Sequence, residues 1–378
     1  MALGPICRRC RRFTIHLSNK INPMKQLIMR GMLLGALLLS ATMMAAACGD
    51  SKGETTPEPT IDPVYPSLVE VAQLPDYMVK KAEAYRKASL DGERLRNGVY
   101  VYSKTIDTYA STPKKLAARI ALLGFVDVYL SAPKAKVEAV DPWLKTFVST
   151  LREYGVQCWL LRLSSTNMLF DVSRVDQDVK LFADYNAKVA ENERFVGISA
   201  DLEPHIQKDS SKEYFWNSQE NLGVGNDNDQ LLKRTHECLA AAKKGLKPAL
   251  LNEAIWYNYQ IFNDRGDLSY GDVSHFLQNC DYVMIMAYRN SMESIWEKSE
   301  PTLKAAHGNN RTVSIAIKTL LNGVSDKSSS IQQQGWNYLL ETVAYLKAEG
   351  KRYDTFRGID QFTYEGLETM WTWQGDLN

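Results

Sequence analysis

The chain has 378 residues, of which 45% are hydrophobic, and this is enough for a large apolar core in one or two domains. Its formal net charge of +1 gives no bulk attraction toward nucleic acid or acidic partners, and no dense run of Lys and Arg follows the N-terminal region. We therefore expect no nucleic-acid partner.

A targeting signal is predicted near the N-terminus. Lys25 and Arg30 precede the apolar run 32–39, and small residues then lead to Cys48. This order is typical of a secretory signal, and the apolar run is too short for a membrane-spanning helix. The ending at Cys48 resembles a bacterial lipobox, in which that cysteine is lipidated. We expect a lipid-anchored protein of the bacterial cell envelope, with ordinary secretion as the alternative.

The sequence divides into three predicted parts. Residues 1–47 form the signal region, with Met24 as the expected true start. Residues 48–74 begin with a stretch rich in Thr, Pro, Glu and Ser, which predicts a short flexible tether. No later linker interrupts residues 75–378, so we expect a single domain there, and a monomer.

From Gly98 onward, strand-like and helix-like stretches alternate. The predicted strands are 99–103, 125–131, 156–164, 195–203, 249–257, 282–288, 312–318 and 358–364. Amphipathic stretches typical of helices lie between them, such as 112–123, 142–154, 176–191, 229–244 and 331–348. This alternation predicts an α/β fold with a single (β/α)8 TIM barrel. An open doubly wound sheet is the alternative, but no Gly-rich phosphate turn follows the first strand.

Side chains alternate between the two faces of a strand, so each predicted strand has an outer and an inner row. In the first strand Val99 and Val101 point outward, whereas Tyr100 and Tyr102 point inward. Other inward residues are Asp127, Tyr129, Met286, Tyr288, Asp360 and Phe362. Parallel strands buried on both faces are usually apolar throughout, so these polar groups need a reason. Barrel enzymes place their active sites at the C-terminal mouth, and such a site would explain the inward polar side chains. A buried network of Asp127 and Asp360 with the inner tyrosines is the alternative for those two residues.

The stretch 195–205 reads FVGISADLEPH and carries the strongest chemical signal. Asp201 and Glu203 share one face of the predicted strand, with Cα atoms about 6.6 Å apart. Two carboxylates at that distance tend to raise one pKa, which would keep Glu203 protonated as a general acid. The alternative is an exposed strand end with two solvated acids.

These strands resemble glycoside hydrolase family 18, the group of chitinases and endo-β-N-acetylglucosaminidases. The family's fourth-strand signature is DGxDxDxE, which Gly197, Asp201 and Glu203 match, whereas Val196 and Ser199 replace its first two Asp residues. The sixth-strand pattern M-x-Y-D is matched by Met286 and Tyr288, with Arg289 in place of the Asp. In the last strand, Phe362 stands where the family has a Trp under the sugar.

The resemblance implies a role for each matching residue. Glu203 would protonate the leaving oxygen and then activate water. Asp201 would orient the N-acetyl group of the substrate, whose carbonyl oxygen attacks the anomeric carbon in place of an enzyme nucleophile. Tyr288 would donate a hydrogen bond to that carbonyl. Ser199 leaves charge sharing behind Asp201 in doubt, and Arg289 suggests either a salt bridge or contact with an acidic glycan.

Further residues are candidates for substrate binding, although other roles remain open for some of them. The set comprises Tyr102, Trp256, Met286, Arg289, Asp360, Phe362 and Trp216. Trp216 lies in a polar insertion that forms either a cleft wall or a self-packed loop. Glu253 could supply a second carboxylate, but if Trp256 faces the site, as we favour, Glu253 points outward. The His residues lack metal-ligand spacing, so His205 is taken as structural or superficial, and we expect no metal and no cofactor.

Three functions are compatible with the sequence. The first is a lipid-anchored glycoside hydrolase acting on an N-acetylated oligo- or polysaccharide. The second is a retaining glycosidase with a conventional carboxylate pair, which needs a second carboxylate about 5–5.5 Å from Glu203. The third is a non-catalytic glycan-binding barrel at the cell surface, since fold alone does not establish chemistry.

Overall fold

Every predicted strand forms a strand in the computed structural model, which describes residues 65–90, 95–218 and 222–375. The strands are β1 Gly98–Val101, β2 Asp127–Leu130, β3 Gln157–Leu161, β4 Gly197–Ala200, β5 Leu250–Trp256, β6 Tyr282–Met286, β7 Val313–Lys318 and β8 Phe356–Phe362. They pair in parallel and in chain order, and β8 pairs with β1 to close the barrel. The predicted (β/α)8 barrel is confirmed, and the open sheet is excluded.

Helices connect the strands and cover the outside of the barrel. Within the described ranges the α-helices are α1 Tyr65–Ala72, α2 Asp76–Leu90, α3 Ser103–Thr108, α4 Pro113–Leu122, α5 Lys134–Glu138, α6 Pro142–Glu153, α7 Ser173–Lys188, α8 Asp227–Leu246, α9 Asn258–Asp264, α10 Val273–Asn279, α11 Met292–Ala305, α12 Gly335–Gly350 and α13 Tyr364–Thr372. Short 3-10 turns occupy Thr166–Phe170, Glu191–Glu193, Pro204–Ile206, Val324–Ser328 and Gln332–Gln334. The five helices predicted from amphipathic stretches are present, with ends that differ by a few residues.

Local sequence signals begin the helices. Before α6, the Asp141 carboxylate accepts a hydrogen bond from the backbone N–H of Trp143 at 2.8 Å, and Pro142 occupies a first-turn position that needs no donor. Before α8, the side-chain oxygen of Asn226 accepts hydrogen bonds from two backbone N–H groups of the first turn. α8 follows the strand that carries Asp201 and Glu203, so this cap also ends the long loop beyond that strand.

The last part of the predicted tether, residues 48–74, contains a helix, whereas residues 48–64 lie outside the described residues. This helix, α1, packs against α4 and buries Leu68 and Ala72, which share one helical face because they are four residues apart. The predicted signal region and Cys48 lie outside the described residues. Among the residues that are described, no helix combines the length and the apolar character needed to cross a membrane.

The strand alternation separates two apolar clusters. Outward side chains such as Val99, Val101 and Val128 belong to the layer between sheet and helices. Inward side chains fill the barrel itself, and this inner cluster contains Tyr100, Tyr129, Trp159, Leu161, Met284 and Ala316. The barrel interior is therefore a packed aromatic core, as the predicted inner faces indicated.

A buried ion network closes the floor of the barrel, at the N-terminal ends of the strands. The Asp127 carboxylate accepts hydrogen bonds from Arg96 Nη2 at 2.8 Å and from Arg357 Nη2 at 2.9 Å. It also accepts the indole N–H of Trp159 at 2.9 Å. Burial alone would raise the pKa of Asp127, but the two guanidinium groups hold it below its usual value. Asp127 is therefore ionised and neutralises Arg357, which is only 4% exposed.

Replacing Asp127 with Asn should destabilise the fold strongly, because it leaves the buried Arg357 guanidinium without a counter-charge. We expect a loss of about 3–5 kcal/mol in the free energy of unfolding, measured by urea denaturation. As a control, Asp184→Asn removes an exposed carboxylate that pairs with Lys180, and it should leave the stability nearly unchanged. Equal effects of the two substitutions would contradict a structural role for the floor network.

Candidate active site

The strand β4 delivers two carboxylates to the C-terminal mouth of the barrel. Ile198, Ala200 and Leu202 pack into the outer layer. The alternating residues Asp201 and Glu203 therefore face inward, directly after the end of β4. This is the face that the sequence predicts, and the mouth is where barrel enzymes hold their reacting groups.

Asp201 is half-buried at the barrel mouth. Its Oδ1 atom is buried and has no hydrogen-bond partner among the described residues. Burial raises the pKa of Asp201 to about 6. Burial also raises the pKa values of Tyr102 and Tyr288, and the charge of Asp201 raises them further, which places both phenols close to this carboxylate. Asp201 thus has a buried acceptor oxygen without a partner among the described residues, and its charge acts on two phenols.

A neutral pair lies behind Asp201, where a third carboxylate would stand in the family motif. The side-chain amide of Asn252 donates a hydrogen bond to the Ser199 hydroxyl at 3.1 Å. Neither group carries charge, and burial is the cause that raises the pKa of Asp201. The raised pKa of Asp201 therefore results from desolvation, and not from a proton shared with the residue at position 199.

Gly197 has a steric role on the same inward row. A Cβ atom at this position would lie 2.1 Å from the carbonyl oxygen of Leu250 and 2.8 Å from a ring atom of Trp159. Real Cβ atoms do not approach other atoms so closely, so only glycine lets β4 pass Trp159 at this level. The glycine in the family-like motif is thus explained by packing inside the barrel.

Glu203 sits at the rim, just before the 3-10 turn Pro204–Ile206. Its side chain is 28% exposed, so it reaches both solvent and the buried site. Burial first, and the charge of Asp201 second, raise the pKa of Glu203 to about 7. The sequence predicts a raised pKa of Glu203 from the charge of Asp201 alone. In the structure, burial among the aromatic side chains of the mouth is the larger cause. A carboxyl that is half protonated near neutral pH suits a general acid that must later act as a base.

His205 lies against Glu203, although the sequence analysis assigned it a structural or surface position. Its Nε2 atom is 3.6 Å from Glu203 Oε1, and its Nδ1 atom is 2.8 Å from the Tyr259 hydroxyl. The imidazole stacks on Trp256 with a centroid distance of 4.7 Å and an interplanar angle of 12°. A signal was available in the sequence, because His205 is two residues beyond Glu203 and Pro204 turns the chain between them.

Aromatic rings that follow or end the strands β1, β6 and β8 contact one another at the barrel mouth. The ring of Phe362 lies 5.2 Å from Tyr288, 5.7 Å from Tyr102 and 5.5 Å from Tyr100, measured between centroids. The structure therefore brings together Tyr102, Tyr288 and Phe362, three of the residues that the sequence assigns to the site. Such rings can stack on the apolar face of a sugar.

Asp360 and Met286 lie deeper than a direct substrate contact requires. Asp360 has no exposed surface and accepts hydrogen bonds from the hydroxyls of Ser314 and Tyr129. Burial raises the pKa of Asp360 to about 7. Met286 is likewise buried beneath the mouth. The position of Asp360 matches the buried polar network that the sequence left open as its alternative role.

Arg289 packs on Tyr257 at the rim of the barrel mouth. Its guanidinium carbon lies 4.6 Å over the ring of Tyr257, and it donates hydrogen bonds to the Tyr257 hydroxyl and to the backbone carbonyl of Tyr288. Because Tyr257 belongs to the outer layer, Arg289 covers the rim behind Tyr288.

The insertion after β4 folds on itself. Trp216 is 4% exposed, and it packs edge-on against His205 and Trp256. Its backbone N–H also donates a hydrogen bond to the carbonyl of Gln207. This burial favours the self-packed loop over the cleft wall, and it means that Trp216 shields His205 from water. Trp256 is only partly buried, so it is the tryptophan of this group that borders the mouth.

Glu253 faces away from the site, as the favoured register predicted. It is fully buried in the outer layer, where its Oε1 atom accepts the backbone N–H of Leu202 at 3.1 Å. Burial first, and then the charge of Asp201, raise its pKa well above the usual value. Glu253 therefore cannot serve as a nucleophile beside Glu203.

In the described part of the chain, no three His, Cys, Asp or Glu side chains form a cluster that could hold a metal ion.

No family model matches the sequence, and no curated protein is similar to it. Solved structures do match. A GH18 chitinase from Pseudoalteromonas aurantia is 14% identical, with 73% of this chain and 97% of that chain covered and a TM-score of 0.47. The Bacillus cereus spore cortex-lytic enzyme SleL is 10% identical, with coverages of 84% and 85% and a TM-score of 0.45.

The PgaB (BpsB) glycoside hydrolase domain from Bordetella bronchiseptica is 11% identical, with 72% of this chain and 95% of that chain covered and a TM-score of 0.46. Family 18, whose motifs the sequence resembles, is thus among the similar structures. A barrel with a different chemistry, an aldolase, matches as well. At these identities, the similar structures show the fold alone.

The buried carboxyls should make stability depend on pH in a defined direction. The folded-state pKa of Glu203 is raised from 4.5 to about 7, so folding favours its protonated form. The associated stability is complete below about pH 4.5 and is lost as the pH rises through about 7. The Glu203→Gln variant lacks this loss. It should therefore unfold at a higher temperature than the wild type at about pH 8, and the difference should vanish toward about pH 4.

Thermal unfolding across this pH range provides the measurement. Asp201→Asn should behave in the same way, because burial also raises the pKa of Asp201. Asp184→Asn, which removes an exposed carboxylate, is the matched control and should give no gain at high pH. A gain for Glu203→Gln that is equally large at low pH would show that ionisation is not its cause.

Proposed function

We propose that this chain is a glycoside hydrolase that cleaves an N-acetylated glycan, with Glu203 as the general acid and base. The observation that carries the proposal is the pairing of Asp201 and Glu203 on the inward row at the barrel mouth. There, burial raises the pKa of Glu203 to about 7. The exposed fraction of Glu203 supports access to a substrate, whereas the buried and unpartnered Oδ1 atom of Asp201 supports a contact with one group of that substrate.

In the first step, protonated Glu203 donates its proton to the glycosidic oxygen, and the bond from the anomeric carbon to that oxygen breaks. The carbonyl oxygen of the substrate's own acetamido group attacks the anomeric carbon, and a cyclic oxazolinium ion forms. In the second step, the Glu203 carboxylate takes a proton from water, and this water opens the ring at the anomeric carbon. Glu203 regains its proton, so the cycle closes without a cofactor.

Asp201 and Tyr288 act on the acetamido group. The unpartnered Oδ1 atom of Asp201 is a suitable acceptor for the amide N–H, and its negative charge stabilises the cation that develops on the ring. The phenol of Tyr288 lies close enough to Asp201 and Glu203 for their charges to raise its pKa. Its O–H therefore stays protonated and is available to donate to the acetamido oxygen.

The remaining predicted contacts fit a sugar-binding mouth to different degrees. Tyr102, Phe362 and Trp256 are partly exposed aromatic rings at the rim, so they are suited to stack on sugar rings. Met286, Asp360 and Trp216 are buried and would act through the residues that they support. A conventional carboxylate pair receives no support from Glu253, which faces the helices. A purely glycan-binding barrel has no need of a carboxyl with a pKa near neutrality.

A screen of glycans with the wild type and two variants tests this proposal. Glu203→Gln keeps the size of the side chain but cannot transfer a proton, so turnover should fall by about 10²–10⁴-fold while glycan binding persists. Asp201→Asn should slow turnover selectively on substrates that carry a 2-acetamido group. The exposed Glu237→Gln on α8 is the matched control and should behave as the wild type.

Two outcomes would contradict the proposal at different levels. Unchanged turnover in Glu203→Gln would remove the enzyme assignment at this site. Equal cleavage of sugars with and without the acetamido group would remove substrate assistance and leave a hydrolase of another mechanism.

We further propose that the protein is anchored to the cell envelope through a lipid on Cys48, in a periplasmic or cell-surface leaflet. The support is the run of small residues that ends at this cysteine after a short apolar stretch. The wild type should partition with membranes, and Cys48→Ala should release the protein or block its maturation. Mass spectrometry of the mature N-terminus checks the modification. A fully soluble wild type with an unmodified Cys48 would refute the anchor.

A further inference from the structure

The imidazole of His205 faces the proton donor but takes no part in the hydrolysis proposed here. Its Nε2 atom is 3.6 Å from Glu203 Oε1. This distance is longer than the hydrogen-bond range of about 2.7–3.2 Å, although catalytic hydrogen bonds often tighten only when charge develops. Whether Nε2 carries a hydrogen decides what His205 can do, because only an N–H group can stabilise the Glu203 carboxylate.

Three aromatic residues hold the imidazole in place. Trp256 stacks on one face at 4.7 Å, whereas Trp216 and Tyr259 contact it edge-on. The side chain is 15% exposed. Burial first, and the charge of Lys208 second, lower the pKa of His205 to about 4. At neutral pH the ring is therefore uncharged and carries a single N–H group.

Tyr259 selects the nitrogen that carries this hydrogen. Its hydroxyl is buried and lies 2.8 Å from His205 Nδ1. Burial raises the pKa of Tyr259 well above its usual value, so the O–H is retained, and the backbone N–H of His205 faces the same oxygen. The O–H therefore needs an acceptor, and among the described residues Nδ1 is the one within hydrogen-bond distance. A hydrogen on Nδ1 would leave this buried O–H without an acceptor, at a cost of about 1–3 kcal/mol.

We propose that His205 is a positioning residue for Glu203: Tyr259 fixes the tautomer with hydrogen on Nε2, and this N–H orients and stabilises the Glu203 carboxylate. This inference rests on the proposed function, because a catalytic role of His205 requires Glu203 to be the general acid. The tautomer of His205 can be measured without that requirement. An N–H donor favours the ionised carboxyl and therefore opposes the effect of burial. Glu203 can then release its proton in the first step and still be regenerated in the second.

Other groups also face Glu203, and any pH dependence at this site contains their contributions. They are Asp201 after β4, Tyr102 after β1, Tyr288 after β6 and Tyr259 on α9. Glu253 on β5 points outward, but its charge and that of Glu203 still influence each other. None of these residues presents a second nitrogen donor to the carboxyl. A comparison of variants at position 205 alone leaves all of them in place.

The first experiment reads the tautomer without any substrate. Long-range proton–nitrogen correlation NMR on histidine-labelled protein distinguishes the two tautomers, and the signal missing in His205→Gln assigns the residue. At neutral pH we expect hydrogen on Nε2. Tyr259→Phe removes the hydroxyl that selects this form and should give a mixture of both tautomers. Hydrogen on Nδ1 in the wild type would overturn the proposal.

The second experiment follows the titration of the Glu203 carboxyl by carbon NMR, with Glu203→Gln to assign its signal. His205→Phe retains a ring to stack on Trp256 but removes the donor, and it should move the midpoint upward by about one pH unit. His205→Gln retains an N–H donor and should restore the wild-type midpoint in large part. His307→Phe, at a histidine whose side chain is 84% exposed, is the matched control. An unchanged midpoint in His205→Phe would overturn the proposal.

Kinetics separate this inference from the proposed function. If a glycan is cleaved, the basic limb of the pH profile of kcat/KM should shift upward in His205→Phe together with the NMR midpoint. If the wild type cleaves no glycan, the proposed function fails, whereas the tautomer and the midpoint still decide the role of His205. If His205→Phe does not fold, the wild-type tautomer and its response to Tyr259→Phe provide the decision.

Discussion

Exclusion of water from the barrel interior is the constraint on which the rest of this structure depends. Eight parallel strands that close on themselves send every second side chain into a space already filled by Tyr100, Tyr129 and Trp159. A polar group in that space must find a partner or change its protonation. At the floor Asp127 finds two guanidinium groups and stays ionised. At the mouth Asp201 and Glu203 find none, and burial raises both pKa values.

The same type of side chain therefore serves different purposes at different depths. Asp127 is a counter-ion, and Asp360 one level higher is a hydrogen-bond acceptor for hydroxyl groups. Glu253 supports the backbone of Leu202, between the two residues of the site. Among the carboxyl groups of the described residues, only Asp201 and Glu203 combine a raised pKa with a position from which a ligand is within reach. Carboxyl groups whose pKa is raised by burial in an accessible cleft are characteristic of functional sites.

The loop after β4 extends the dry region beyond the barrel. Trp216 folds back over His205, and Trp256 stacks beneath it, so the side of Glu203 that faces β5 is covered by rings rather than by water. This cover explains why His205 stays neutral and why burial dominates the pKa of Glu203. It also restricts solvent access to Glu203 on this side. In the proposed hydrolysis, water for the second step would enter from the open side of the mouth.

The sequence by itself determined the barrel, the two faces of its strands and the inward direction of Asp201 and Glu203. These features follow from a period of two along each strand, which is local and can be read without knowing any partner. Only the tertiary structure decided the role of His205, whose partner Tyr259 is 54 positions away in the chain. The same holds for Arg289, which rests on Tyr257, and for the buried position of Trp216. Contacts of this kind depend on how loops from different strands meet at the mouth, and no local periodicity encodes that meeting.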